Sequence, residues 1–448
     1  MEAAPRPIRY RADAVIPSDG TGRLFRPGEV EVVGDTVTYV GPVREGDDGS
    51  EGSAGEPVQL TGLLLPGFVN VHGHSPMILF RGTGENLPLL RWLEEVLWPR
   101  EARLTPEDVF WGMTLAAAEL LQRGVTTTCE MYFFEDAVAD AVMAAGSRAV
   151  ITPAALDVTR PAGDATDRAW WSNRLAEVAD FHGRRHREGG RIETGFGPHA
   201  AYTVPLEVLA EVAAVAQELD AILHIHVAET EGEVANYALA NGRSVPEALA
   251  EVGALNGRVI AAHSIWLSEG DIALYRRHDV AVAHCPRSNA KLASGVAPLT
   301  RLLAEGIRVG LGTDGPASNN GLDLWEEMTF AALVARIHDR DPGAMPAASA
   351  LDLATRGGGQ VLGRPDLGTL APGSRADMVL VNLEDSVFGP LHQDAHLIEH
   401  VAWSGSSRLV TDVWVAGRQV VAEGRCLTVD VDEARRQVED RSRRLLAG

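Results

Sequence analysis

From residue 66 to 365 the chain alternates short β-branched runs with helical patterns, eight times over. The runs are "GFVNVHGH", "GVTTTCEMY", "RAVITPAALD", "IETGFGPHA", "AILHIHVAE", "RVIAAHSIW", "DVAVAHCPRSN" and "IRVGLGTDG". Between them lie segments such as "PLEVLAEVAAVAQELD" and "LTPEDVFWGMTLAAAELLQRG", whose apolar residues recur at helical spacing. In the second, Thr105 is placed to cap the helix and Pro106 to occupy its first turn. Few architectures accept eight strands that each feed a helix; the pattern predicts an α/β fold, a (β/α)8 TIM-like barrel over 66–365. The flanks have a different texture. "EVEVVGDTVTYVGPV", "ADMVLVNLED" and "VTDVWVAGRQVVAEGR" are short alternating strands broken by Gly, Asp and Pro. Residues 1–65 and 366–448 are expected to build one small β-sandwich domain from both ends of the chain.

Charge and composition narrow the function classes. A net charge of −22 argues against nucleic acid as a partner, because phosphate binding needs a basic face. No run of 18 or more apolar residues is present, so no membrane span is expected, and the N-terminus lacks the apolar core of a signal peptide. The 3 cysteines, Cys129, Cys285 and Cys426, are far apart, which fits a reducing cytoplasm better than a disulfide framework.

Polar residues gather where the barrel strands end, the place at which barrel active sites are built. The first strand ends in His72 and His74, two residues apart and therefore on one face. The fourth ends in His199, the fifth in His224, His226 and then Glu229, the sixth in His263, and the eighth in Asp314. Each histidine alone reads as a hydrogen-bonded core residue. Five strand ends carrying His or Asp together read as a site for zinc or a similar divalent ion. His226, nearer the strand end, is the expected ligand, with His224 behind it. Such an ion lowers the pKa of water from about 15.7 to about 7, which provides a nucleophile at neutral pH. Glu229 is placed to handle a proton on the substrate. The single lysine, Lys291, lies beyond the seventh strand, so no lysine bridge between two ions is available and one metal per chain is expected.

In this order the residues resemble the mononuclear branch of the amidohydrolase superfamily. "PGFVNVHGHSPMILFRG", "HIHVAETEGE", "AHCPRSNAKLASGVAPL" and "GTDGPASNNGLDLWEEM" are most similar to the 5-methylthioadenosine/S-adenosylhomocysteine deaminases, with s-triazine hydrolases and guanine-type deaminases as cousins. The resemblance implies a metal on His72, His74, His226 and Asp314. It implies that His263 holds and helps deprotonate water, that Glu229 protonates the ring nitrogen, and that Asp314 passes a proton to departing ammonia. Trp92 would line the pocket, Glu101 would accept from the ribose hydroxyls, and His199 would sit near the sugar. Some relatives hold the homocysteine carboxylate with an arginine at the end of the third strand, where this chain has Pro153; a second such arginine could correspond to Arg168. Glu130 stands where relatives often have aspartate.

The implied partner is a small nucleoside, and a homo-oligomer is expected. The alternative within enzymes is hydrolysis of a free aminopurine, pterin or s-triazine; the alternative outside them is a barrel scaffold without chemistry. Two motifs lead elsewhere. "HLIEH", 396–400, matches a metalloprotease signature, but Gly405 is expected to cut its helix short. His182 and His186, four apart in a charged run, read as a solvated face.

Overall fold

The computed structural model describes residues 5–44, 56–156 and 167–447. All eight predicted barrel strands form: Phe68–Gly73, Val125–Glu130, Arg148–Ile151, Ile192–Pro198, Ile222–Val227, Arg258–His263, Ala281–His284 and Val309–Leu311. Each pairs in parallel with the next. A two-residue strand, Ala154–Ala155, continues the third run beyond Pro153 and pairs with the fourth. The interior is filled by Val69, Val71, Cys129, Val150, Ile222, Ile260, Ala262, Ala281 and Ala283, all buried. It is a packed core rather than a pore, so chemistry is confined to the mouth.

The seam between first and last strands is closed by one backbone bridge and one asparagine side chain. The Asp314 amide donates to the His72 carbonyl at 3.0 Å, and an isolated β-bridge joins Gly73 to Asp314. Below it, the Asn70 carboxamide bonds both the hydroxyl of Thr313 (2.8 Å) and its N–H (3.0 Å). The seam is thereby held at the level of the backbone that carries His72 and Asp314, without a further strand.

The helices start where the sequence says they should. Thr105 caps Pro106–Gln122 in a capping box with Asp108, and Pro106 fills the first turn. Leu206–Glu218 follows the fourth strand. The chain ends assemble as expected: Ile8–Val15, Gly28–Val33, Thr36–Pro42 and Val58–Pro66 share one eight-stranded sheet with Met378–Val381, Val410–Val415, Arg418–Ala422 and Arg425–Cys426. Register shifts interrupt four of its pairings, and a separate core of Tyr10, Val30, Leu64, Met378 and Trp414 is packed on it. Bulges of this kind bend strands and increase twist. Arg148 and Asp377, both 2% exposed, form a two-pronged ion pair that ties the third barrel strand to this sheet. Among the described residues, no helix is long and apolar enough to cross a membrane.

Candidate active site

The first, fifth and eighth strands deliver four side chains to one point. Nε2 of His72 and Nε2 of His74 each lie 3.4 Å from Oδ1 of Asp314, and Nε2 of His74 lies 3.3 Å from Nε2 of His226. All four residues are buried. His263 joins the cluster from the sixth strand, with an atom in the same 4.8 Å group as His72 and His226.

What stands behind each ring fixes which nitrogen faces the centre. His74 donates Nδ1–H to the Met131 carbonyl at 2.5 Å, and His226 donates Nδ1–H to the His199 carbonyl at 2.8 Å. His263 bonds the Asn289 carboxamide oxygen through Nδ1 at 2.8 Å. His72 uses Nδ1 on Nε2 of His224 at 2.8 Å, and His224 in turn meets the Thr152 hydroxyl at 3.0 Å. His224 therefore stands behind His72 and holds its ring. Nε2 of His72 is buried without a partner. An orphaned imidazole nitrogen aimed at two further imidazoles and a carboxylate is what a bound cation resolves, so the residues fit a metal ion.

Electrostatics agree. Burial pushes His72 down to about 4 and holds His226 well below the usual imidazole range, which leaves both rings neutral and able to donate lone pairs. Burial alone would raise Asp314, but the approach of the His72 ring nitrogen at 3.4 Å and the field of His263 outweigh it and hold the acid well below the usual range. Its Oδ2 also accepts from Ser288 (2.5 Å) and Ser318 (2.9 Å). Glu229 behaves oppositely. Burial, and then the charge of Asp314, raise its carboxyl well above the usual range, the opposite direction to its neighbour. His263 Nε2 is 3.8 Å from Glu229 Oε2.

The backbone at these strand ends is strained in a way ordinary strands are not. Ala228, His263, Ser264 and Asp314 all have φ between 51° and 66°. Such left-handed turns at non-glycine residues cluster at functional sites, because they aim side chains that a regular strand would send elsewhere. Gly312 serves the same end: a Cβ there would lie 2.8 Å from Cβ of His72 and 2.9 Å from the Cys285 sulfur.

Above the cluster opens a cavity. His199 lines it, as do Trp92 and Glu101. Glu101 is buried, accepts from the Tyr132 hydroxyl at 2.9 Å, and is pushed up to about 7 by burial. The wall carrying Trp92 and Glu101 is helical but contains a π turn, Leu93–Leu97, between Leu89–Trp92 and Trp98–Glu101. The wider turn absorbs one residue, so Leu89, Trp92, Leu93, Leu97, Trp98 and Glu101 all face the cavity.

Other expectations fare differently. Arg168 starts the helix Arg168–Arg185, half exposed and paired with Glu211, and is not among the cavity's lining residues. Lys291 pairs with Glu85 at 2.8 Å. Glu130 acquires a role: it accepts the Ser75 N–H (2.9 Å) and hydroxyl (2.6 Å), which anchors the residue following His74. The "HLIEH" segment is a helix of eight residues, His396–Trp403, that ends before Gly405. His182 and His186 are stacked and share Thr194.

Sequence reasoning missed Ser288, Asn289 and Ser318. A signal was present: "PRSN" after the seventh strand and "PASN" after the eighth repeat one pattern, Pro-x-Ser-Asn. Both serines reach Asp314 and the first asparagine orients His263.

Comparison with known proteins places this geometry. The amidohydrolase family pattern matches residues 63–420. A 5-methylthioadenosine/S-adenosylhomocysteine deaminase of Pelotomaculum thermopropionicum is 39% identical over 440 residues, 98% of this chain and 99% of its own. A 5'-deoxyadenosine deaminase of Methanothermobacter thermautotrophicus is 41% identical over 379 residues, 84% of this chain and 86% of its own. Among solved structures, an adenosine deaminase from Xanthomonas campestris with bound zinc superposes with a TM-score of 0.90 at 33% identity, over 99% of this chain and 100% of that one. With the barrel, the converging histidines and a match along most of its length, the chain belongs to the amidohydrolase family.

Proposed function

We propose that the protein is a metal-dependent hydrolytic deaminase, which replaces the 6-amino group of an adenine nucleoside with oxygen and releases ammonia. One observation carries the reading: Glu229, buried and 3.8 Å from His263, shares with Asp314 the floor of a cavity whose wall ends in Glu101. The relatives named as deaminases of adenine nucleosides support it. We infer one zinc ion per chain on His72, His74, His226 and Asp314. When bound it lowers the pKa of water to about 7, and so supplies a nucleophile at neutral pH.

The chain's own groups do the rest. His263, its Nδ1 committed to Asn289, presents Nε2 to hold the attacking water and take its proton. Glu229 gives its proton to the ring nitrogen beside the amino-bearing carbon. Oxygen then bonds to that carbon. Asp314 takes the remaining proton of the added hydroxyl and passes it to the amino group. The carbon–nitrogen bond breaks with release of ammonia and formation of the 6-oxo group, and the proton taken by His263 returns to Glu229. One oxygen of Glu101 is held by Tyr132, which leaves the other for the ribose hydroxyls. Trp92 covers the nucleoside and His199 adjoins the sugar.

We assign 66–365 to the barrel and 1–65 with 366–448 to the composite β-domain. A cytoplasmic homo-oligomer fits the three free thiols and the exposed apolar Leu333 and Ile337.

Ammonia release from adenosine, 5'-methylthioadenosine, S-adenosylhomocysteine, free adenine and an aminotriazine tests the reading. Nucleosides should be turned over and free adenine should not; turnover confined to a free base or triazine would overturn it. S-adenosylhomocysteine should not be preferred more than about a hundredfold, since one lost bidentate contact at 153 forfeits roughly 10- to 150-fold. Elemental analysis should find about one zinc per chain, and His226→Ala should lose most of it. Two tightly bound ions would refute the single-metal assignment.

A further inference from the structure

The two Pro-x-Ser-Asn turns that reach Asp314 leave different strands, Ala281–His284 and Val309–Leu311. Their serine hydroxyls, on Ser288 and Ser318, lie 3.1 Å apart, and both reach Oδ2 of Asp314. Glu327 stands behind the pair. It is fully buried, on the first turn of the helix Leu324–Asp339. Its Oε2 accepts the N–H of Arg287, the residue before Ser288, at 3.1 Å. Its Oε1 accepts from Nδ2 of Asn319, the residue after Ser318, at 2.6 Å. The same Nδ2 donates to the Thr313 carbonyl at 2.8 Å, one residue ahead of Asp314. One carboxyl group thus holds both turns, each beside a serine that touches Asp314.

We propose that Glu327 is a positioning residue for Asp314: it fixes the spacing of the two turns, and with it the aim of Ser288 and Ser318 at that carboxylate. The kinetic side of the inference rests on the deaminase reading. Packing gives no reason for an acid at this place. The neighbouring Trp325 and Met328 fill the core with apolar atoms, whereas burial pushes the Glu327 carboxyl up to about 8. What a carboxyl offers there, and a leucine or methionine does not, is two acceptors on one plane for donors from two separate turns. The turns also differ in the way this role requires. The position that gives Asn289 to His263 in the first turn gives Asn319 to Glu327 in the second. One asparagine serves the site, and its counterpart serves the clamp behind it.

The test is Glu327→Gln in the full-length, zinc-loaded protein. The carboxamide keeps the volume but turns a donor toward Arg287 or Asn319, so one arm of the clamp opens. The value of kcat per bound zinc should fall roughly 10- to 100-fold, the range for groups that orient ligands, with KM within about twofold. Zinc affinity in chelator competition should weaken about tenfold, a readout independent of substrate. A double-mutant cycle separates positioning from a general loss of fold. With Ser288→Ala and Ser318→Ala in place, Glu327→Gln should change kcat and zinc affinity by less than about twofold further, because the groups through which it acts are gone. If Glu327→Gln does not fold, Asn319→Ala cuts one arm alone and should give the same pattern. Unchanged kcat and zinc affinity would overturn the assignment. So would the full loss recurring in the serine-free background, the mark of a merely structural acid. Absence of nucleoside turnover in the wild type would sink the deaminase reading alone, since the cycle in zinc affinity still decides the role of Glu327.

Discussion

The floor and the wall of the main cavity are built by different rules. On the floor, the clustered side chains leave β-strand ends and have dedicated groups behind them: His224 behind His72, carbonyl oxygens behind His74 and His226, Asn289 behind His263, Ser288 and Ser318 behind Asp314. The wall is one helical segment broken by a π turn, and its polar contribution to the cavity is Glu101, held by Tyr132. Under the proposed function, chemistry would be positioned by overlapping constraints, whereas recognition would be carried by apolar surface and one acid. Floor variants should therefore lose rate or metal, and wall variants should lose affinity.

Glu229→Gln should show the largest effect that spares the metal. A loss of roughly 10²–10⁴ in kcat is expected, the usual worth of a general acid/base, with zinc content unchanged by elemental analysis. A near-normal rate would move the proton to another group and blur the contrast.

His224→Phe asks whether the second row of the floor matters as much as the first. It removes the acceptor for His72 Nδ1 while keeping bulk, and should weaken zinc binding roughly 10- to 100-fold in chelator competition. Unchanged affinity would mean that His72 is oriented by packing alone.

Glu101→Gln probes the wall. KM for adenosine should rise about 10- to 150-fold, the range for a charge-assisted hydrogen bond, with kcat within a fewfold. The same variant has a pH signature. Burial raises the Glu101 carboxyl to about 7 from an unfolded value near 4.5, so the folded state binds the extra proton between these limits. Wild-type stability thus falls as pH rises through that window, by about 3 kcal/mol once the group is fully ionised. The substituted carboxamide cannot ionise, so thermal unfolding of Glu101→Gln should match wild type at pH 4 and exceed it at pH 8. The opposite trend would show that a partner stabilises the charged form. Arg168→Ala should do least: the exposed pair with Glu211 contributes under about 1 kcal/mol, and kcat/KM on 5'-methylthioadenosine should not change.

The floor was far more legible in the sequence than the wall, for a physical reason. Strand alternation and the barrel's rule that sites form at strand ends put His72, His74, His226, His263 and Asp314 on one rim from the sequence alone. The groups that satisfy their second nitrogens are a histidine, an asparagine and carbonyl oxygens from other strands, and serines do the same for the carboxylate. These groups are common everywhere, and only their meeting gives them meaning. The wall was harder still. Trp92 and Glu101 were available only through family resemblance, because nine positions on a straight helix do not share a face. The π turn supplies the missing rotation, and no residue type marks it. Arg168 pairs with Glu211 and does not line the cavity, since a charged residue at a helix start finds a surface carboxylate as readily as a substrate.

The sheet formed by the chain's two ends has a consequence for synthesis. Leu63 pairs with Val381, 318 positions later, while its other neighbour, Ile8–Val15, is made first. At about 5–20 residues per second, a ribosome leaves that edge of Val58–Pro66 unpaired for roughly 15 to 60 s. The exposed edge carries "GLLLP", uncharged and strand-forming, the kind of segment that recruits a neighbouring nascent chain. Yield of this protein in a heterologous host should depend on how well chaperones cover those few leucines until Met378–Val381 emerges.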